Sequence, residues 1–147
     1  MAHKEMLQNG EVKTWLEAQW LWNVSSSVGY SCPNKKGDVL LVQYLLNSVA
    51  RICGQPSRLL VPDGKFGGKT WARIRQVQIE DCMAIPTGMV SAIDGSRLYG
   101  PKGLYSIIML NRYLVAQLRH YYMDIRMDPK CPAELVGILS GPMPALA

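Results

Sequence analysis

Apolar residues recur at three- and four-residue steps through most of this chain, and nowhere do they alternate long enough to outline a strand. From Asn9 to about Trp22, the residues Val12, Trp15, Leu16 and Trp20 share one helical face, and Asn9 stands where a capping oxygen is needed. Ser25 to Gly37 reads as a connection. A second helix opens at Asp38 and lines up Val39, Val42, Leu45, Leu46, Val49 and Ile52; Gly54-Gln55-Pro56-Ser57 ends it. Arg58 to Pro62 is a short extended piece. A third helix, from about Lys69 to Cys82, buries Trp71, Ile74 and Val77, and Pro86-Thr87-Gly88 breaks the chain after it. The longest helix starts near Leu104 and carries its apolar stripe through Ile107, Ile108, Leu114, Leu118 and Tyr122 to Ile125, about six turns. Pro129 and Pro132 stop it. The pattern predicts one mainly α domain over residues 1–147, with a Pro- and Gly-rich tail over 129–147.

Two turns punctuate this pattern. Asp63-Gly64-Lys65-Phe66-Gly67-Gly68-Lys69-Thr70 comes before the third helix, and Asp94-Gly95-Ser96-Arg97-Leu98-Tyr99-Gly100-Pro101-Lys102 comes before the last. In each, Asp supplies a side-chain acceptor and Gly the positive φ of a tight turn. Asp63, Gly64, Phe66, Gly67, Asp94, Gly95 and Gly100 are therefore read as structural turn residues, with Thr70 offering a helix-capping hydroxyl.

Gly37-Asp38-Val39 through Val42-Gln43 and Leu45-Leu46-Asn47, then Asp63-Gly64-x-Phe66-Gly67-x-Lys69-Thr70-Trp71 through Ile74 to Gln78, resembles the peptidoglycan-binding-domain-like family. Asp94–Lys102 stands for that family's second Asp-Gly turn, and the likeness runs from about Gly37 to Leu118. It implies a compact helical bundle with its core at 37–125. To this the chain adds an extra N-terminal helix at 9–22 and lengthens the last helix. There are departures: Val77 stands where the family has Phe, extra residues separate Asp94 from Gly100, and Gly103 replaces the Thr that opens the last helix.

Charge narrows the partners. Sixteen basic residues against 11 acidic give a net charge of +5, which suits an anionic partner such as cell wall, an acidic membrane surface or nucleic acid. The longest basic run is Lys35-Lys36, so no specific nucleic-acid tail is expected. Cys32, Cys53, Cys82 and Cys131 form no Cys-x-x-Cys pair, and His3 and His120 are far apart, so no metal and no cofactor are implied. The thiols read as free and buried in a reducing compartment, with a Cys32–Cys53 bridge left open. The first residues lack an apolar signal segment and no run is long enough to cross a membrane. The expected location is the cytoplasm as synthesised, with release to the cell envelope by a non-classical route.

Catalysis is not expected. Asp63 and Asp94 are each followed by Gly, as in a turn that engages its own backbone, and no nucleophile elbow or complete phosphate loop is present. Trp15, Trp20, Trp22 and Tyr30 form a set open to sugar stacking, with Trp22 the one expected at the surface. The resemblance implies a non-catalytic binding protein of bacterial or phage origin. Its ligand would be peptidoglycan or a muropeptide, gripped near Arg97, Tyr99, Lys102 and Tyr105 around the second turn. The alternative is a cytosolic adaptor, such as a secretion-system accessory, that keeps the fold and binds a protein partner instead.

Overall fold

In the computed structural model, which describes residues 2–139, the helix expected from Asn9 to Trp22 is cut in two. Asn9 does cap: its Oδ1 accepts from Val12 N at 3.0 Å, and α1 spans Gly10–Leu16. It ends on Glu17, a non-glycine residue in the left-handed region at φ 60°. The chain then extends as β2, Trp20–Asn23, antiparallel to β1, His3–Met6, with Lys4 opposite Trp22 and Met6 opposite Trp20. Aromatic and branched residues in a row suit a strand buried on both faces as well as they suit a helix. All four residues of β2 are buried.

Helix α2, Lys36–Ile52, is the axis of the fold. Every residue from Gly37 to Ala50 is buried, the mark of a helix surrounded by other elements. Asp38 does not cap it; it lies inside the first turn with its carboxylate buried. Four donors satisfy that carboxylate, the backbone N–H and hydroxyl groups of Ser25 and Ser26, at 3.0–3.2 Å. They tie the connection to the helix start. Helix α3, Gly68–Glu80, and α4, Ser106–Gln117, pack against α2, as does α6, Ala133–Ile138. The tail therefore docks on the body as far as Leu139, and its remainder lies outside the described residues.

The last helix is shorter than its apolar stripe predicts. It breaks at Leu118 (φ −131°, ψ 42°), resumes as α5, Arg119–Tyr122, and passes into a 3-10 turn at Ile125–Met127. An unbroken helix to Ile125 would run about 30 Å and carry Tyr122 past the strand. The break instead returns Tyr122 beneath β2, where its carbonyl accepts from the indoles of Trp20 (3.4 Å) and Trp22 (3.0 Å). Its ring stacks on Trp20 with centroids 5.8 Å apart. Asn111 on α4 holds the other side of the strand: Oδ1 accepts from Trp22 N and Nδ2 donates to Trp22 O, both at 2.9 Å. Trp22, expected at the surface, is fully buried, and with Trp20 it serves the core rather than a sugar platform.

The described cysteines are all free. Cys82 and Cys131 are buried, Cys32 half-buried and Cys53 exposed, so the bridge left open by the sequence is not made. Burial pushes the Cys82 and Cys131 thiols up to about 12, which keeps them protonated and inert.

Candidate functional site

The site is built around two buried glutamines that act alike. Gln43, on α2, accepts from Gly64 N through Oε1 at 2.9 Å. Its Nε2 lies 3.2 Å from each of three acceptors: Asp63 Oδ1, Lys65 O and Thr70 Oγ1. Asp63 Oδ1 also accepts from Lys65 N at 2.9 Å. One side chain thus fixes the turn and the first residues of α3 together. Thr70 is used as an acceptor for Gln43 rather than as a cap, and Gly67 takes the cap position with no side-chain bond.

Gln78, on α3, repeats the arrangement. Its Oε1 accepts from Gly88 N at 2.9 Å, and its Nε2 donates to Thr87 Oγ1 (3.1 Å), Met89 O (3.0 Å) and Ser106 Oγ (3.1 Å). Met89 N returns to Thr87 Oγ1 at 3.2 Å. Gly64 and Gly88 have matching φ values of 73° and 71°. The second copy of the turn is therefore Thr87-Gly88-Met89, not Asp94–Lys102. Thr87 stands where Asp63 does, and Ser106 opens α4 where Thr70 helps open α3. The sequence signal was a polar residue before Gly, an apolar residue two beyond it (Phe66, Val90) and a glutamine on the preceding helix. Threonine in place of Asp obscured it.

Asp94-Gly95 is a real turn of a different kind. Asp94 Oδ1 accepts from Ser96 N at 2.9 Å, Gly95 has φ 74°, and no glutamine reaches it. It leads into a small hairpin, β3 (Tyr99–Gly100) paired with β4 (Gly103–Leu104), which the absence of long alternation did not foresee. Gly103 sits in that hairpin at φ 118°, so it is no helix cap; Tyr105 is the residue before α4. Ile85 N anchors the hairpin by donating to Lys102 O at 3.0 Å, and Asn23 Nδ2 holds Ile93 O, just ahead of the Asp94 turn, at 2.6 Å. Hydrogen bonds hold both Asp carboxyls below the usual carboxylate range: chiefly the Lys65 N–H for Asp63, and Ser96 for Asp94. Neither is tuned as a proton donor near neutral pH.

A groove opens between the glutamine-held second turn and the hairpin. It encloses about 290 Å³, with Thr87, Ser91, Lys102 and Tyr105 among its polar lining and Ala84, Ile85, Met89 and Leu104 among the apolar. A shallower hollow of about 350 Å³, bordered by Asp94, Ser96 and Arg97, adjoins it, and Tyr105 lines both. Of the four residues predicted to bind, Lys102 and Tyr105 thus share the groove, while Arg97 meets Tyr105 in the neighbouring hollow. Tyr99 is exposed and lines neither. Gly100 lets the hairpin lie on the Tyr105 ring, for a Cβ there would stand 2.8 Å from it.

The two turns also touch. Trp71, from the first motif, lies against Gly88, where a Cβ would come within 2.3 Å of the indole. Arg75 stacks over that indole at 4.7 Å and donates through Nε to Pro86 O at 3.1 Å. Among the described residues no group of three or more His, Cys, Asp or Glu could hold a metal ion, and no helix is long and apolar enough to cross a membrane. No protein-family model, curated protein or solved structure matches the chain.

Proposed function

We propose that the chain is a non-catalytic binding protein on a peptidoglycan-binding-like arrangement, taking the peptide stem of a cell-wall fragment in the groove beside the second turn. The observation that carries this reading is the junction at Tyr105. There an apolar groove with a cationic wall at Lys102 runs into a hollow bordered by Arg97. A peptide stem presents carboxylates to such cations and small alkyl groups to Ile85, Met89 and Leu104. The net charge of +5 draws an anionic polymer to the surface. The doubled glutamine clamp supports the resemblance, whose pattern puts a glutamine-bearing helix ahead of each turn.

Co-sedimentation with purified peptidoglycan tests it. The chain is expected to be retained above a basic control of matched charge, and Lys102→Ala and Arg97→Ala are each expected to weaken retention by about 5- to 10-fold. Retention equal to the control would overturn the reading. One observation favours a protein partner instead: Ile79, Met83 and Ile85 are all exposed between positions 79 and 85, a stretch that enters the groove wall at Ile85. In that case Met83→Asp would abolish a stable complex and leave wall retention at background.

A further inference from the structure

Tyr30 takes no part in the groove or the core. It stands in the connection before α2, 61% exposed, and the chain around it is braced. On one side Val28 and Val90 exchange both main-chain bonds, at 3.0 and 2.8 Å. On the other, Asn34 Oδ1 accepts from Gly29 N and Asn34 Nδ2 donates to Gly29 O, both at 2.8 Å. Ser31 is held in the left-handed region at φ 62°, where a non-glycine residue sits at a cost. The Tyr30 ring meets Phe66 edge to face with centroids 5.1 Å apart, and Trp71 at 5.9 Å with a 51° tilt. Phe66 and Trp71 are half-buried, and the Arg75 guanidinium lies 4.7 Å from the Trp71 ring. The three rings form an outward ridge rather than a flat platform. Charge around it is nearly all of one sign: residues 28–36 and 63–75 hold six bases against the single acid Asp63. The Asp63 carboxylate is already engaged by Lys65 N and Gln43. Lys35, Lys65 and Lys69 are exposed and enter no ion pair among the described residues, whereas Lys36 pairs with Glu134.

We propose that this ridge binds single-stranded nucleic acid, at a site separate from Lys102 and Arg97. A base stacks on the open face of Tyr30, and phosphates on either side of it meet Lys35, Lys65 and Lys69. Aromatic faces set among cations are what a single strand needs, since every base has a face to stack and every link a charge to neutralise. A duplex keeps its base faces inside its own stack and offers Tyr30 nothing. A neutral glycan would stack on the ring but make no use of the surrounding cations. Successive sugar rings also rest best on near-coplanar faces, and the rings here stand 89° and 51° from Tyr30. Unstacked bases splay about their backbone and accept such angles.

Fluorescence anisotropy of a labelled oligothymidylate with the full chain tests this, against its duplex and against an abasic phosphodiester strand of equal length and charge. The single strand is expected to bind at least about 10-fold tighter than either rival. Tyr30→Ala is expected to weaken it by about 10-fold with the salt dependence unchanged, and Tyr30→Phe to keep the affinity. Lys65→Gln and Lys69→Gln are each expected to flatten the slope of log affinity against log salt by about 0.7. All four changes fall on solvated side chains, so the fold is kept. Equal affinity for the abasic strand, tighter binding of the duplex, or a Tyr30→Ala variant that binds as well as the parent would overturn the proposal. So would Tyr30-dependent binding of a neutral chito-oligosaccharide in place of the single strand.

Discussion

The two glutamine-held turns use one hydrogen-bond scheme over very different lengths of chain. Thr70 follows Gly64 by six positions, whereas Ser106 follows Gly88 by 18, with the hairpin between. Gln43 and Gln78 nevertheless reach the same set of partners at nearly equal distances. The start of the following helix is thus set by the clamp and not by the length of its connection. A long connection is tolerated because loop closure grows costly only slowly with length. The long second connection supplies the wall of the groove.

The largest effect expected from this pairing separates the two glycines. Both need a positive φ, but a Cβ at Gly64 presses mainly on the flexible Lys36 chain and at 3.1 Å on Leu40, while one at Gly88 runs into the Trp71 ring. Gly88→Ala should cost about 3 kcal/mol and Gly64→Ala about 1–2 kcal/mol, as read by urea unfolding. Equal losses would mean that Trp71 gives way freely. Next come the clamps themselves. Gln43→Leu and Gln78→Leu each strip a buried Gly N–H and a buried hydroxyl of their partner, at about 2–3 kcal/mol. Gln78→Leu should be the worse, because Thr87 is half-buried where Asp63 is exposed to rescuing water.

The smallest effect concerns acid. The Asp63 pKa is depressed in the folded state, so its contribution is complete above the unfolded carboxylate value of about 3.9 and is lost as pH falls through the folded value. Thr87 does not titrate. The first turn should therefore loosen in acid before the second, with amides at the start of α3 exchanging ahead of those at the start of α4. Thr87→Asp should change stability by less than about 1 kcal/mol at neutral pH and give the second turn the same acid sensitivity. A second turn that still ignores pH in this variant would break the equivalence.

Helices α2 and α3 were legible because their apolar residues recur at helical spacing over several turns and glycine-bearing turns flank them, even though α2 is buried all round. Trp20–Asn23 was not. Its side chains are buried on both faces, and a short apolar run of that kind fits helix and strand alike. The break at Leu118 was hidden too, because residues on both sides of it stay buried and the periodicity runs on. In the candidate site, Lys102 and Tyr105 were found where the groove is, but for a reason that does not hold. The turn that shapes the groove is Thr87-Gly88, and its threonine carries no local sign of kinship with Asp63. Kinship appears only when Gln78 is seen to hold both Gly88 and Ser106, a relation across 28 positions that no local pattern encodes.

The Asn111 side chain bears on what the outer backbone of β2 can pair with. A two-stranded ribbon ordinarily offers its outer backbone to any extended chain, which is how edge-to-edge polymers start. Along β2 that invitation is withdrawn at Trp22, because the Asn111 amide occupies both main-chain groups that a third strand would use. An asparagine on a helix thus serves as a terminal, non-propagating strand.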